Sequence, residues 1–183
     1  MSAQHKKFNQ DLVTRLPDLM RFAVSLCRDT SAARDLVQST CERALSRSNQ
    51  FEAGTRFESW LFSIMHSIWK NQLRRGGSEA RYLEKAGHHA ELIDGNRVVQ
   101  GKIFLSEVLS KMTQLPDGQA AALTLVCIEG LSYREAAEIL EIPQGTLESR
   151  VARGRIALGR MLDSEGREES ARSKPVAVAE KSE

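Results

Sequence analysis

The sequence predicts an all-α protein of two small helical domains, an N-terminal helical bundle and a C-terminal helix-turn-helix bundle, joined by a flexible linker. Three observations predict it. Apolar residues recur at spacings of three and four along most of the chain, the helical period. No segment alternates apolar and polar residues as a half-buried strand does. Between Gly77 and Lys102 the periodicity dissolves and then resumes, over a stretch longer than a loop inside a compact domain.

The first helical stripe is Leu12, Leu16, Leu19, Met20, Ala23 and Leu26. A polar break at Asp29-Thr30-Ser31 precedes the second: Ala33, Leu36, Val37, Thr40, Cys41, Ala44 and Leu45. The third runs Phe57, Trp60, Leu61, Ile64, Met65, Ile68 and Leu73. Thr55-Arg-Phe-Glu58 reads as a capping box at its start, the hydroxyl serving one orphan N–H and the carboxylate another. Gly76-Gly77 ends it. Residues 8–76 are therefore expected to form one bundle of three or four helices. Residues 77–102 hold glycine, charge and the His88-His89 pair, and are expected to be a linker with a short helix around Ala80–Lys85.

Periodicity resumes at Ile103–Met112 and is punctuated by Leu115-Pro116. A very apolar helix is expected over Gln119–Ile128, stopped by Gly130. Ser132-Tyr-Arg-Glu135 is a second capping box, opening a short helix from Tyr133 to Leu140. Ile142-Pro143 forces a turn, because the residue before proline is pushed out of the helical region. A last helix begins near Gln144–Thr146 and runs to about Leu162. The C-terminal domain is placed at 103–163. Residues 164–183 mix both charge signs with serine, alanine and a proline, and are expected to be a disordered tail.

Composition narrows the function. The 183 residues carry a net charge of +2, too mild to announce nucleic-acid binding, so any basic footprint must be local. Aromatic residues are 5%, so the core must lean on Leu, Ile, Val, Ala and Met. Cys27, Cys41 and Cys127 are scattered, with no CxxC pair, and each sits among apolar neighbours. They read as small buried hydrophobes rather than a disulfide framework. No cysteine or histidine stands at zinc spacing from His88-His89, so no metal site is expected. The N-terminus has no apolar stretch of signal-peptide type. The longest uncharged runs, Ser59–Trp69 and Gly118–Ile128, fall well short of the roughly 20 residues a membrane span needs. The expectation is a soluble, cytoplasmic protein with no membrane contact. No nucleotide loop, nucleophile triad or paired-carboxylate site is visible, so neither enzyme activity nor a cofactor is expected.

The most informative stretch is 131–160, LSYREAAEILEIPQGTLESRVARGRIALGR, which reads as helix, tight turn, helix. Ala136-Ala137 leaves room for a second helix to cross closely, with Ile139, Leu140, Ile142, Leu147 and Val151 as the shared core. The second helix then presents Thr146, Glu148, Ser149, Arg150, Arg153 and Arg155. Such a helix fits the DNA major groove, with arginine pairing to guanine, glutamate accepting from cytosine, and later arginines on phosphates. The plainer alternative is a helical hairpin with a solvated arginine face. The turn after the first helix usually carries glycine, which tolerates positive φ, yet here it carries Glu141. Either the turn is strained or it uses another geometry.

Leu115–Arg155, LPDGQAAALTLVCIEGLSYREAAEILEIPQGTLESRVARGR, resembles the C-terminal domain of the extracytoplasmic-function (ECF) subfamily of sigma-70 family bacterial RNA polymerase sigma factors. The resemblance lies in the LP opening, the EGLSY turn, the alanine-containing first helix and the IPxGTxxSR start of the second. In that family this domain binds the promoter −35 element. ARDLVQSTCERAL, Ala33–Leu45, resembles the helix that docks on the clamp coiled coil of the polymerase largest subunit. FESWLFSIMHSIWKNQLRR, Phe57–Arg75, resembles the segment that binds and melts the −10 element. These stretches follow the family's order and spacing.

The resemblance implies a sigma factor that binds core RNA polymerase and promoter DNA and is regulated by an anti-sigma factor. Asp35 and Gln38 share a helix face, where a carboxylate beside an amide can receive a partner's arginine, and Arg43 extends it. The family commonly has an acidic residue where this chain has Ser39, which leaves that contact weaker or carried by neighbours. In the melting segment, His66, Ser67, Trp69, Lys70, Asn71, Arg74 and Arg75 are the expected −10 contacts, because unpaired DNA is held by aromatic platforms and a basic track. Phe57 and Trp60 share the apolar stripe and compete for core positions. The other functional reading is a dimeric helix-turn-helix regulator whose N-terminal helices form an effector domain.

Overall fold

The computed structural model describes residues 3–52, 54–76, 108–116 and 118–172, and among these every regular element is helical. The expected linker over 77–102, with its helix around Ala80–Lys85, lies outside the described residues, as does the chain after Arg172.

The N-terminal unit has four helices: α1 (Ala3–Thr14), α2 (Leu16–Cys27), α3 (Thr30–Ser46) and α4 (Phe57–Gly76). The first apolar stripe is split at Arg15. Pro17 is the cause: it fits the first turn of α2, where its missing N–H costs nothing, but it cannot continue α1. Arg28 closes α2 in the left-handed region (φ 57°), its N–H donating to Val24 O at 2.8 Å. Asp29 then caps α3, its carboxylate accepting from the Ala32 N–H at 2.7 Å. The expected capping box at Thr55–Glu58 does not form. Helix α4 starts at Phe57, one residue too late for Thr55 to be its cap, and the Thr55 hydroxyl donates to Glu52 O instead. Leu19, Phe22, Leu36, Leu61, Phe62 and Met65 are fully buried between α2, α3 and α4. Phe22 and Phe62 meet edge to face at 5.1 Å, a favoured aromatic geometry. Phe8, Phe51, Phe57 and Trp60 form a second aromatic cluster, so Phe57 and Trp60 are packing residues.

In the C-terminal unit, residues 108–112 are helical and lead to α5 (Gln119–Leu123), α6 (Tyr133–Ile139) and α7 (Gln144–Arg172). The helix expected over Gln119–Ile128 is α-helical only to Leu123. Thr124–Ile128 widen into a π turn, marked by the Glu129 N–H donating to Thr124 O at 2.9 Å. The second capping box does form: Ser132 Oγ accepts from the Glu135 N–H, and Glu135 Oε2 accepts from the Ser132 N–H at 2.9 Å. Ala136 and Ala137 are buried where α6 meets α7, with Leu147 and Val151 opposite. Helix α7 continues past Leu162 to Arg172, into residues expected to be disordered. The extension is rich in glutamate, arginine and alanine, all good helix formers, and proline comes only at position 175.

The two units pack together. Helix α2 lies against α5 and the π turn, and α4 lies against α6, so the buried residues of both form one hydrophobic cluster.

Candidate nucleic-acid and partner surfaces

The strongest nucleic-acid candidate is the start of α7. Leu147 and Val151 pin its inner face, leaving Glu148, Ser149, Arg153 and Arg155 exposed. Gln144 Nε2 donates to Glu148 Oε1 at 2.9 Å. Arg153 donates to Ser149 O and Oγ, both at 3.1 Å. Neighbouring side chains thus hold these groups in place before any ligand arrives. Thr146 and Arg150 are half-buried. A Cβ on Gly118 would fall 2.5 Å from Arg150 Nη1, so this guanidinium lies against the backbone entering α5. Arg155 reaches Cys127 Sγ at 3.3 Å. Cys127 is exposed, which corrects the expectation that all three cysteines are buried: the π turn directs it outward, whereas Cys27 is buried and Cys41 half-buried.

The turn between α6 and α7 resolves the Glu141 question. Glu141 adopts φ 52°, the left-handed conformation that glycine takes without steric cost. Its carboxylate pairs with Lys70 of α4 and comes within 3.9 Å of His66 Nδ1. The Lys70 hydrogen bond holds the Glu141 carboxyl below its usual range.

The other expected −10 residues lie along α4. Asn71, Arg74 and Arg75 are exposed, while Ser67, Trp69 and Lys70 are half-buried. His66 is buried at 5% exposure, and Ile68, not Trp69, fills the core position. Burial lowers the pKa of His66, and Lys70 adds to this while Glu141 opposes it. His66 Nδ1 and Trp69 Nε1 are both buried without a hydrogen-bond partner. In this arrangement His66 therefore does not line an open surface.

On α3, Asp35 and Gln38 are exposed on one face and Gln38 donates to Glu42 at 3.0 Å. Arg43 faces elsewhere. It lines a groove of about 490 Å³ between α3 and α4, together with Ser39, Arg47, Asn71, Gln72 and Arg75. The structure thus separates Arg43 from Asp35 and Gln38, and brings it beside two residues assigned to −10 DNA. Arg47 and Gln72 were not anticipated, because their meeting depends on how α3 packs on α4. Gln144 was legible, since it stands four residues before Glu148 on one helix. Among the described residues, no group of three histidine, cysteine or carboxylate side chains could hold a metal ion, and no helix is long and apolar enough to cross a membrane.

Comparison with known proteins agrees with this layout. Residues 12–79 match the family "Sigma-70 region 2" and residues 105–158 match "Sigma-70, region 4". The ECF RNA polymerase sigma factor EcfG of Rhodopseudomonas palustris is 32% identical over 159 residues, covering 87% of each chain. The ECF RNA polymerase sigma factor SigC of Mycobacterium tuberculosis is 36% identical over 141 residues, covering 77% of this chain and 75% of its own. Among solved structures, the sigma factor RpoE in complex with the anti-sigma factor NepR from Bartonella quintana superposes with a TM-score of 0.68 at 33% identity, over 86% of this chain and 98% of RpoE. CnrH in complex with the cytosolic domain of CnrY superposes with a TM-score of 0.58 at 25% identity. Region 2 helices followed by a region 4 helix-turn-helix, with relatives matching across most of their length, make this chain a member of the ECF family of RNA polymerase sigma factors.

Proposed function

We propose that the chain grips core RNA polymerase and promoter DNA through the following residues, as the sigma factor that directs promoter-specific transcription initiation. The N-terminal domain, 8–76, docks on the clamp coiled coil through Asp35 and Gln38, with Arg43 in the adjoining groove. It takes −10 DNA along α4 through His66, Ser67, Trp69, Lys70, Asn71, Arg74 and Arg75. The C-terminal domain, 103–163, reads the −35 major groove through Thr146, Glu148, Ser149, Arg150, Arg153 and Arg155, and residues 77–102 link the two. The chain contributes binding and strand opening and no catalysis, and it works in the cytoplasm, where the chromosome is. RpoE of Bartonella quintana is held by an anti-sigma factor, and we extend that kind of partner to this chain.

The observation that carries the reading is the preorganised start of α7, exposed at the tip of a capped helix-turn-helix. The test is run-off transcription with core polymerase freed of sigma. The protein should direct initiation at a defined site, and Glu148→Ala or Arg153→Ala should weaken promoter use by about 5- to 150-fold, as loss of one good base contact (about 1–3 kcal/mol) implies. Affinity should also fall steeply with salt, because phosphate contacts release counterions. A dimeric regulator would bind DNA and yet fail to support initiation.

A further inference from the structure

The groove between α3 and α4 gathers charge that neither helix needs for its own packing. Arg43 and Arg47 stand four residues apart at the end of α3, and Arg75 lines the facing wall on α4. Among the described residues, none of these three guanidinium groups has a carboxylate partner. Arg15, Arg21, Arg56 and Arg134, by contrast, each lie against an aspartate or a glutamate. Glu42 also lines the groove, but its carboxylate accepts from Gln38 Nε2 at 3.0 Å. Asn71 and Gln72 place two carboxamides beside Arg75, again without a hydrogen-bond partner among the described residues. Ile68, only 6% exposed, adds an apolar patch at the base.

Each of these groups suits a different part of one kind of ligand. Like charges on the walls of a cleft focus a positive field in the space between them and concentrate anions there. Guanidinium groups match phosphate oxygens in pairs of hydrogen bonds. Carboxamides both donate and accept, as the edge of a nucleobase does. An apolar side chain gives the flat face of a base a surface that excludes water. The groove volume of about 490 Å³ falls in the range of sites for small organic ligands. Cations on two facing walls clasp a compact polyanion, whereas the spaced phosphates of a strand call for a row along one helix.

We propose that this groove binds a nucleoside polyphosphate, its phosphates held by Arg43, Arg47 and Arg75, its base edge met by Asn71 and Gln72, and its base face resting on Ile68. Asn71 and Arg75 are also read as −10 contacts, but the inference does not rest on that reading. The free chain should bind the ligand with neither DNA nor polymerase present.

The test is isothermal titration of the full-length chain at low salt with ATP, GTP, inorganic pyrophosphate and an oligothymidylate lacking terminal phosphates. At least one nucleotide should bind saturably, and at least about threefold more tightly than pyrophosphate, as one added hydrogen bond implies. Arg43→Gln with Arg47→Gln should weaken that binding by about tenfold or more, because two charge-assisted contacts are lost. Arg34→Gln with Arg134→Gln removes the same charge from exposed residues outside the groove, and should weaken it by less than about twofold. Gln72→Ala should reduce the preference for the nucleotide over pyrophosphate. Three outcomes overturn the proposal. They are no saturable nucleotide binding, equal losses in the two double variants, and pyrophosphate bound as tightly as both nucleotides. If the oligothymidylate binds through Arg43 and Arg47 while neither nucleotide binds, the proposal also fails and the groove belongs to the DNA track.

Discussion

Glu141 shows how much a single side chain can cost. A left-handed conformation costs a non-glycine residue about 1–2 kcal/mol, whereas a half-exposed ion pair such as Glu141–Lys70 returns about 0.2–1 kcal/mol. The pair alone does not offset the strain, so stability is a poor reason for glutamate at this position. The cysteines divide just as sharply. Burial pushes the Cys27 thiol up to about 12, with Asp29 and Asp35 adding to the effect, and burial raises Cys41 as well. Only the thiolate reacts with electrophiles. With iodoacetamide at mildly alkaline pH, Cys127 should be alkylated first, Cys41 more slowly, and Cys27 only on unfolding. Peptide mass spectrometry over time reads the order, and early labelling of Cys27 would contradict its burial.

Among the helices, two sequences of the same form behave differently. Ser132–Glu135 closes a capping box and Thr55–Glu58 does not. Ser132→Ala should therefore destabilise the protein by about 1 kcal/mol. Thr55→Ala should change stability by less than about 0.5 kcal/mol, as a surface substitution does. Urea denaturation of both variants measures the contrast. The α6–α7 crossing makes a second prediction. Ala136 has no exposed surface and Ala137 has 5%, so Ala136→Leu has no space to enter. We expect a loss of about 1–3 kcal/mol from overpacking, seen as a lower denaturation midpoint together with weaker DNA binding.

For the molecule as a whole, His66 links pH to folding. Its pKa is lowered by burial, with Lys70 lowering it further and the Glu141 carboxylate opposing. The folded chain therefore binds fewer protons at His66 than the unfolded chain. Its stabilising contribution is complete above about pH 6.5 and is lost as pH falls from there through the lowered value. Stability measured at about pH 7.5 and about pH 5.5 should fall, and His66→Gln should reduce that fall. An undiminished fall in the variant would place the titrating group elsewhere.

Much of this protein was legible in its residues. The three-and-four spacing of Leu36, Leu61, Met65, Leu147 and Val151 determined helices with one apolar face each, because that period only lines up on a helix. Capping residues and Pro143 set most of the remaining boundaries, and short motifs carried the family. What local sequence could not supply was which faces meet across the fold. The π turn, the groove that gathers Arg43 with Asn71, and the covering of His66 and Lys70 by the α6–α7 turn all depend on residues far apart in the chain. Periodicity states that a face is apolar or charged. Only tertiary packing decides what that face is pressed against, and here it set Glu141 and the α6–α7 turn against the helix expected to hold DNA.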